Sequence, residues 1–71
     1  VIMKLAERLK ELRKERNLRQ EHVAVALDIS MSAYCNYEQG KREPNTSVLC
    51  RMADFYDVTT DYLLGRSDHR K

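Results

Sequence analysis

Seventy-one residues suit one small domain around a single core, near the size at which such a core is only just sufficient without metals, disulfides or partners. No stretch approaches the roughly 20 apolar residues of a membrane span, and no charged-then-apolar leader resembles a signal peptide, so a cytoplasmic protein is expected. Cys35 and Cys50 stand at no metal-ligand spacing with His22 or His69, which sets aside a zinc site and leaves both as reduced thiols, with no cofactor or metal implied.

One Pro, two Gly and 34% charged residues suit helices joined by short turns. The net charge of +2 is unevenly spread. Residues 1–42 hold nine Lys or Arg against six Asp or Glu, whereas residues 43–71 hold four against five.

In chain order, Ile2, Leu5, Leu9 and Leu12 mark a first helix with one apolar stripe, closing near Asn17 in a left-handed conformation. A second helix buries Val23, Ala24 and Leu27 and keeps Gln20, Glu21 and a solvated His22 on its polar side. Ala24 is small where two helices must approach closely. Asp28 takes a left-handed turn, Ile29 returns to the core, and Ser30 caps a third helix that starts at about Met31. Tyr34 and Tyr37 share its buried face, leaving Met31, Ser32, Ala33 and Asn36 outward. Asn45 or Thr46 opens a fourth helix with Val48, Leu49, Met52, Ala53 and Tyr56 inward, and Thr59 caps a short fifth one with Asp61 near its positive end. The two short helices around Asp28 have the shape of a helix-turn-helix, which makes duplex DNA the leading candidate partner.

The stretch ERLKELRKERNL from Glu7 to Leu18, Gln20, Ala24, Ile29 with Ser30, the run Tyr37-Glu38-Gln39-Gly40-Lys41-Arg42 with Pro44, and the closing Asp61-Tyr62-Leu63-Leu64-Gly65 all fall at one family's spacing. Over about residues 4 to 65 the chain resembles the phage-repressor-like (Xre/Cro-type) helix-turn-helix regulators. It departs from their pattern at Asp28, where the family usually has Gly, and at Arg19, where it usually has Ser or Thr. Asp tolerates the left-handed turn, and Arg19 gives up a cap for a positive charge near the DNA backbone or leaves capping to water.

The resemblance implies an all-α, compact five-helix, lambda-repressor-like DNA-binding domain over residues 1–65, followed by a flexible tail over 66–71. Its helix-turn-helix is formed by the second and third helices. It also implies a sequence-specific transcriptional regulator, a repressor, that binds a short inverted repeat of double-stranded DNA as a homodimer. The third helix then reads the major groove through Met31, Ser32, Ala33 and Asn36. Of these Asn36 is the sharpest candidate, because its amide both donates and accepts, as adenine requires. Arg13, Arg19, Gln20, Gln39, Lys41 and Arg42 are the candidates for phosphate contact, and Gln20 also braces the reading helix. Arg13 and Glu38 match a structural ion pair. Tyr62 is either a dimer contact exposed on the fifth helix or a core tyrosine. The residues offer no nucleophile-base pair, phosphate loop or paired carboxylates, so no enzyme is expected. The rival reading is a protein-interaction module, an antitoxin or adaptor that keeps this fold.

Overall fold

The computed structural model describes residues 2–71, the side chain of Ile2 excepted. Five helices occupy Ile2–Glu15 (α1), Gln20–Leu27 (α2), Met31–Glu38 (α3), Thr46–Tyr56 (α4) and Thr60–Leu63 (α5), with no strand among the described residues. The Cα radius of gyration is 10.7 Å, close to the value of about 11 Å expected when 71 residues fold as one body.

α1 lies against α3 and α5, α2 against α3 and α4, and α4 against α5, so every helix touches the same core. Leu5, Leu9 and Leu12 carry the buried stripe of α1; the side chain of Ile2, expected as its fourth member, lies outside the described residues. Val23, Ala24 and Leu27 meet Tyr34 and Tyr37 between α2 and α3, and Val48, Met52, Ala53 and Tyr56 close the core from α4. Leu49, expected inward with them, is only partly buried against this cluster. No helix among the described residues is long and apolar enough to cross a membrane.

The helix ends follow one rule. Each of Asn17, Asp28, Gly40, Asp57 and Gly65 has a φ between 56° and 80°, and the residue after each donates its N–H back five positions. Leu18 bonds to the carbonyl of Arg13, Ile29 to Ala24, Lys41 to Asn36, Val58 to Ala53 and Arg66 to Asp61. This is the left-handed closure that satisfies the last carbonyls of a helix. After the three Asn or Asp closures the next residue is apolar, and Leu18, Ile29 and Val58 pack on the core. After the two Gly closures it is basic, so the chain leaves α3 with Lys41 turned to solvent.

The starts of three helices are capped by side chains. Ser30 Oγ accepts from Ala33 N at 3.0 Å, Asn45 Oδ1 from Val48 N at 2.9 Å and Thr59 Oγ1 from Tyr62 N at 3.0 Å. Arg19 precedes α2 and makes no side-chain cap bond.

Gly40 sets the exit from the helix-turn-helix. A Cβ there would stand 2.8 Å from Met3 Sδ, the flexible end of a side chain that can move, so the left-handed φ of 72° is the dominant obstacle to substitution. Gly40→Ala is expected to cost about 1 to 2 kcal/mol, read as a lower urea midpoint at unchanged slope. A midpoint equal to wild type would show that the turn does not need glycine.

Residues 66–71, expected as a loose tail, fold back over α1 and α5. Arg8, itself only 7% exposed, donates to the carbonyls of Tyr62 and Ser67, both at 2.8 Å, and to Asp68 at 3.0 Å. Arg70 forks onto Glu15 at 2.6 and 2.9 Å, and its carbonyl accepts from Thr59 N. The spacing of charges along α1 carries no sign of these ties, because they join residues more than 50 positions apart.

Candidate nucleic-acid interface

α2 and α3 are joined through Asp28, Ile29 and Ser30. With Tyr34, Tyr37 and Glu38 buried, the stripe that points away from the core at three- and four-residue spacing is Ser32, Asn36 and Gln39. Ser32 and Gln39 are exposed, Asn36 is half-buried, and Met31 sits at the start of the helix with 45% of its surface exposed. Ala33 does not share this face: it lies four residues before Tyr37, on the same flank, and its methyl packs against the core. The structure therefore brings Met31, Ser32 and Asn36 together but turns Ala33 partly inward.

Besides its core packing, α3 is tied to α1 and α2 through one buried carboxylate. Glu38, 1% exposed, receives Arg13 Nε at 2.7 Å and the other arm of the guanidinium at 3.1 Å, as well as Gln20 Nε2 at 3.1 Å. Burial opposes its ionisation, yet the hydrogen bonds from Arg13, Tyr34 and Gln20 outweigh that cost and hold the carboxyl below its ordinary value of 4.5. Tyr34 in turn shares a 3.1 Å hydrogen bond with the Tyr56 hydroxyl, and burial pushes both phenols up. The buried side chains contain no unpartnered polar atom among the described residues.

Arg13 also donates to the carbonyl of Leu18 at 3.0 Å and is 16% exposed. Pairing with Glu38 occupies one edge of its guanidinium and the bond to Leu18 a further N–H, so most of its donors are engaged within the domain. Gln20, half-buried, also works inward: it donates to Glu38 and accepts from Cys35 Sγ at 3.3 Å. Cys35, which neither spacing nor charge marks as a site in the sequence, is thus part of this bracing.

The charges free to meet a ligand flank α3. Arg19 is 86% exposed and makes one loose contact, 3.8 Å, with Glu21. Lys41 and Arg42 are exposed just beyond α3, and no ion pair among the described residues engages either. Arg13, Arg19, Gln20, Glu21 and Met31 line a shallow open hollow where α2 begins beside the start of α3. His22 is exposed, and the described residues contain no cluster of His, Cys, Asp or Glu able to hold a metal.

Tyr62 resolves toward the core reading: it is 7% exposed, with the Arg8 guanidinium 3.9 Å above its ring and Arg70 donating to its hydroxyl at 3.3 Å. Three arginines outside the expected site prove structural. Besides Arg8, Arg16 donates to the carbonyls of Phe55 and Tyr56, and Arg51 to that of Leu27 at 2.6 Å, so that two guanidinium groups close the C-terminal ends of α4 and α2.

A family model described as a helix-turn-helix domain matches residues 4–64, which is most of the chain. This protein belongs to that family. Its helix-turn-helix domain is 39% identical over 69 residues to the HTH-type transcriptional regulator ImmR of Bacillus subtilis (strain 168), covering 97% of this chain and 54% of ImmR. It is 42% identical over 65 residues to the regulator AnsR of the same organism, covering 92% of this chain and 56% of AnsR. It is also 38% identical over 64 residues to the cryptic phage CTXphi transcriptional repressor RstR of Vibrio cholerae, covering 90% and 57%. The relatives' names also include a transcriptional activator, BcrR of Enterococcus faecalis. The chain spans little more than half the length of ImmR, AnsR and RstR. No solved structure gives a significant match.

Proposed function

We propose that this helix-turn-helix domain is the DNA-reading part of a transcriptional repressor that binds a short inverted repeat as a homodimer. The observation that carries the reading is the placement of a polar outward stripe, Ser32, Asn36 and Gln39, with the exposed cations Lys41 and Arg42 at one end of α3 and the exposed Arg19, in only loose contact with Glu21, at the other. A major groove about 12 Å wide admits such a helix, with the Asn36 amide and the Ser32 hydroxyl meeting base edges while Gln39 and the flanking cations meet phosphates. Twofold symmetry would set two α3 helices on half-sites about 34 Å apart.

Within this reading Asn36 and Ser32 contact base edges, and Met31 meets a thymine methyl. Arg19, Gln20, Gln39, Lys41 and Arg42 position the domain on the backbone. Arg13 and Glu38 hold α3 in place. Repression is favoured by the likeness to the transcriptional repressor RstR, 38% identical over 64 residues. A protein-interaction module working through α5 is disfavoured, since the Tyr62 ring that would anchor it lies beneath Arg8.

The cations supply the direct test. Lys41→Ala with Arg42→Ala is expected to reduce the slope of log affinity against log salt by nearly 2, at about 0.9 for each phosphate that is no longer neutralised. The weakening should be similar on any duplex, because these residues carry no base information. An unchanged slope would remove Lys41 and Arg42 from the DNA interface.

A further inference from the structure

We infer that Cys35 is a positioning residue for Gln20, its thiol completing a clamp that presents the Gln20 amide to a phosphate of the duplex. The inference rests on the DNA-binding reading above and adds to it a residue that neither charge nor helix position marks. A glutamine amide has two nearly isosteric orientations, and its last torsion is broad, so an amide pinned at one end alone does not aim its remaining N–H. Gln20 is pinned at both ends. Its Oε1 accepts from Cys35 Sγ at 3.3 Å, and one N–H of its Nε2 goes to Glu38 Oε1 at 3.1 Å.

Glu38 sets which way round the amide lies. It is ionised and accepts only, and Arg13 fixes it at 2.7 and 3.1 Å, so a flipped amide would press its oxygen against a carboxylate. Cys35 then fixes how far the amide rotates about that bond. The clamp runs from α1 through α3 to the first residue of α2, and it leaves one Nε2 N–H without a protein partner. Gln20 and the exposed Arg19 both line the open hollow where α2 begins, and a phosphate resting there would find a cation together with the remaining N–H of the amide.

The test is a double-mutant cycle on duplex binding, read by fluorescence anisotropy on both a selected sequence and a random one, with thermal melting to show that each variant is folded. Cys35→Ala keeps a good helix former in α3 and is expected to weaken both duplexes about two- to fivefold, the range of one weak neutral hydrogen bond. The salt slope stays unchanged because no charge is removed. Cys35→Ser, which keeps a donor, is expected to restore binding to within about twofold of wild type. Gln20→Ala is expected to weaken binding about tenfold, and adding Cys35→Ala to it should weaken it no further. Wild-type affinity in Cys35→Ala, or losses that multiply in the double variant, would overturn the clamp while leaving DNA binding intact. Absence of duplex binding by the wild type would overturn the DNA-binding reading and the clamp with it.

Discussion

Arg13→Ala is expected to lower the stability of the domain by about 3 kcal/mol or more, the largest effect of any single substitution outside the apolar core. The loss comes less from the attraction that is removed than from what remains. Glu38 is 1% exposed, and without the guanidinium its carboxylate stays buried with Gln20 and Tyr34 as its remaining donors. For a domain of this size that corresponds to a fall in Tm of about 12 to 25 °C. Glu38→Gln is the informative companion, because it keeps the shape and removes the buried charge, and it should cost less than Arg13→Ala.

The same pair sets an acid limit. Because the folded carboxyl of Glu38 is held below 4.5, its contribution is fully present above that value and is lost as the pH falls through the lower folded one. The carboxyls of Glu15 and Asp57 are also held low, by Arg70 and Lys71, but both pairs are exposed and contribute little. Urea unfolding of wild type should therefore weaken steeply below about pH 4.5. Glu38→Gln should flatten that part of the curve, and an equally steep curve in this variant would assign the acid limit elsewhere.

The second large effect concerns reading. Asn36→Ala is expected to leave the fold intact, since Ala is the better helix former and Asn36 is only half-buried. It should remove about 1 to 3 kcal/mol of discrimination at one base pair of each half-site, the range of a bidentate amide contact to adenine. Affinity for random duplex should change little, in contrast with Lys41→Ala and Arg42→Ala, which weaken every duplex alike. The two classes of variant therefore separate base contact from phosphate contact on the same helix-turn-helix.

Local chemistry explains why so much of this fold is legible in the sequence. Ser30, Asn45 and Thr59 cap helices within three residues, Asp28 closes α2 within its own turn, and the apolar stripes of α1 and α4 repeat along single helices. What escapes is non-local. Arg8, Arg16 and Arg51 look like ordinary surface charges on their helices, and only the packed fold shows that they meet carbonyls 24 to 59 residues away. Ala33 is ambiguous in sequence because a small apolar residue carries no strong signal for either face, and its relation to Tyr37 decides the matter. Cys35 escapes because a thiol's partner depends on how α2 docks against α3.

The most direct test of sequence-specific reading by α3 is selection from a random duplex pool at roughly physiological salt, run in parallel on the wild type and on Asn36→Ala. The expected result is a palindromic motif with half-sites one helical turn apart, relaxed at one base position per half-site in the variant. Enrichment of no sequence by the wild type, with only weak salt-sensitive binding, would contradict base reading by α3 and turn the search toward a protein partner.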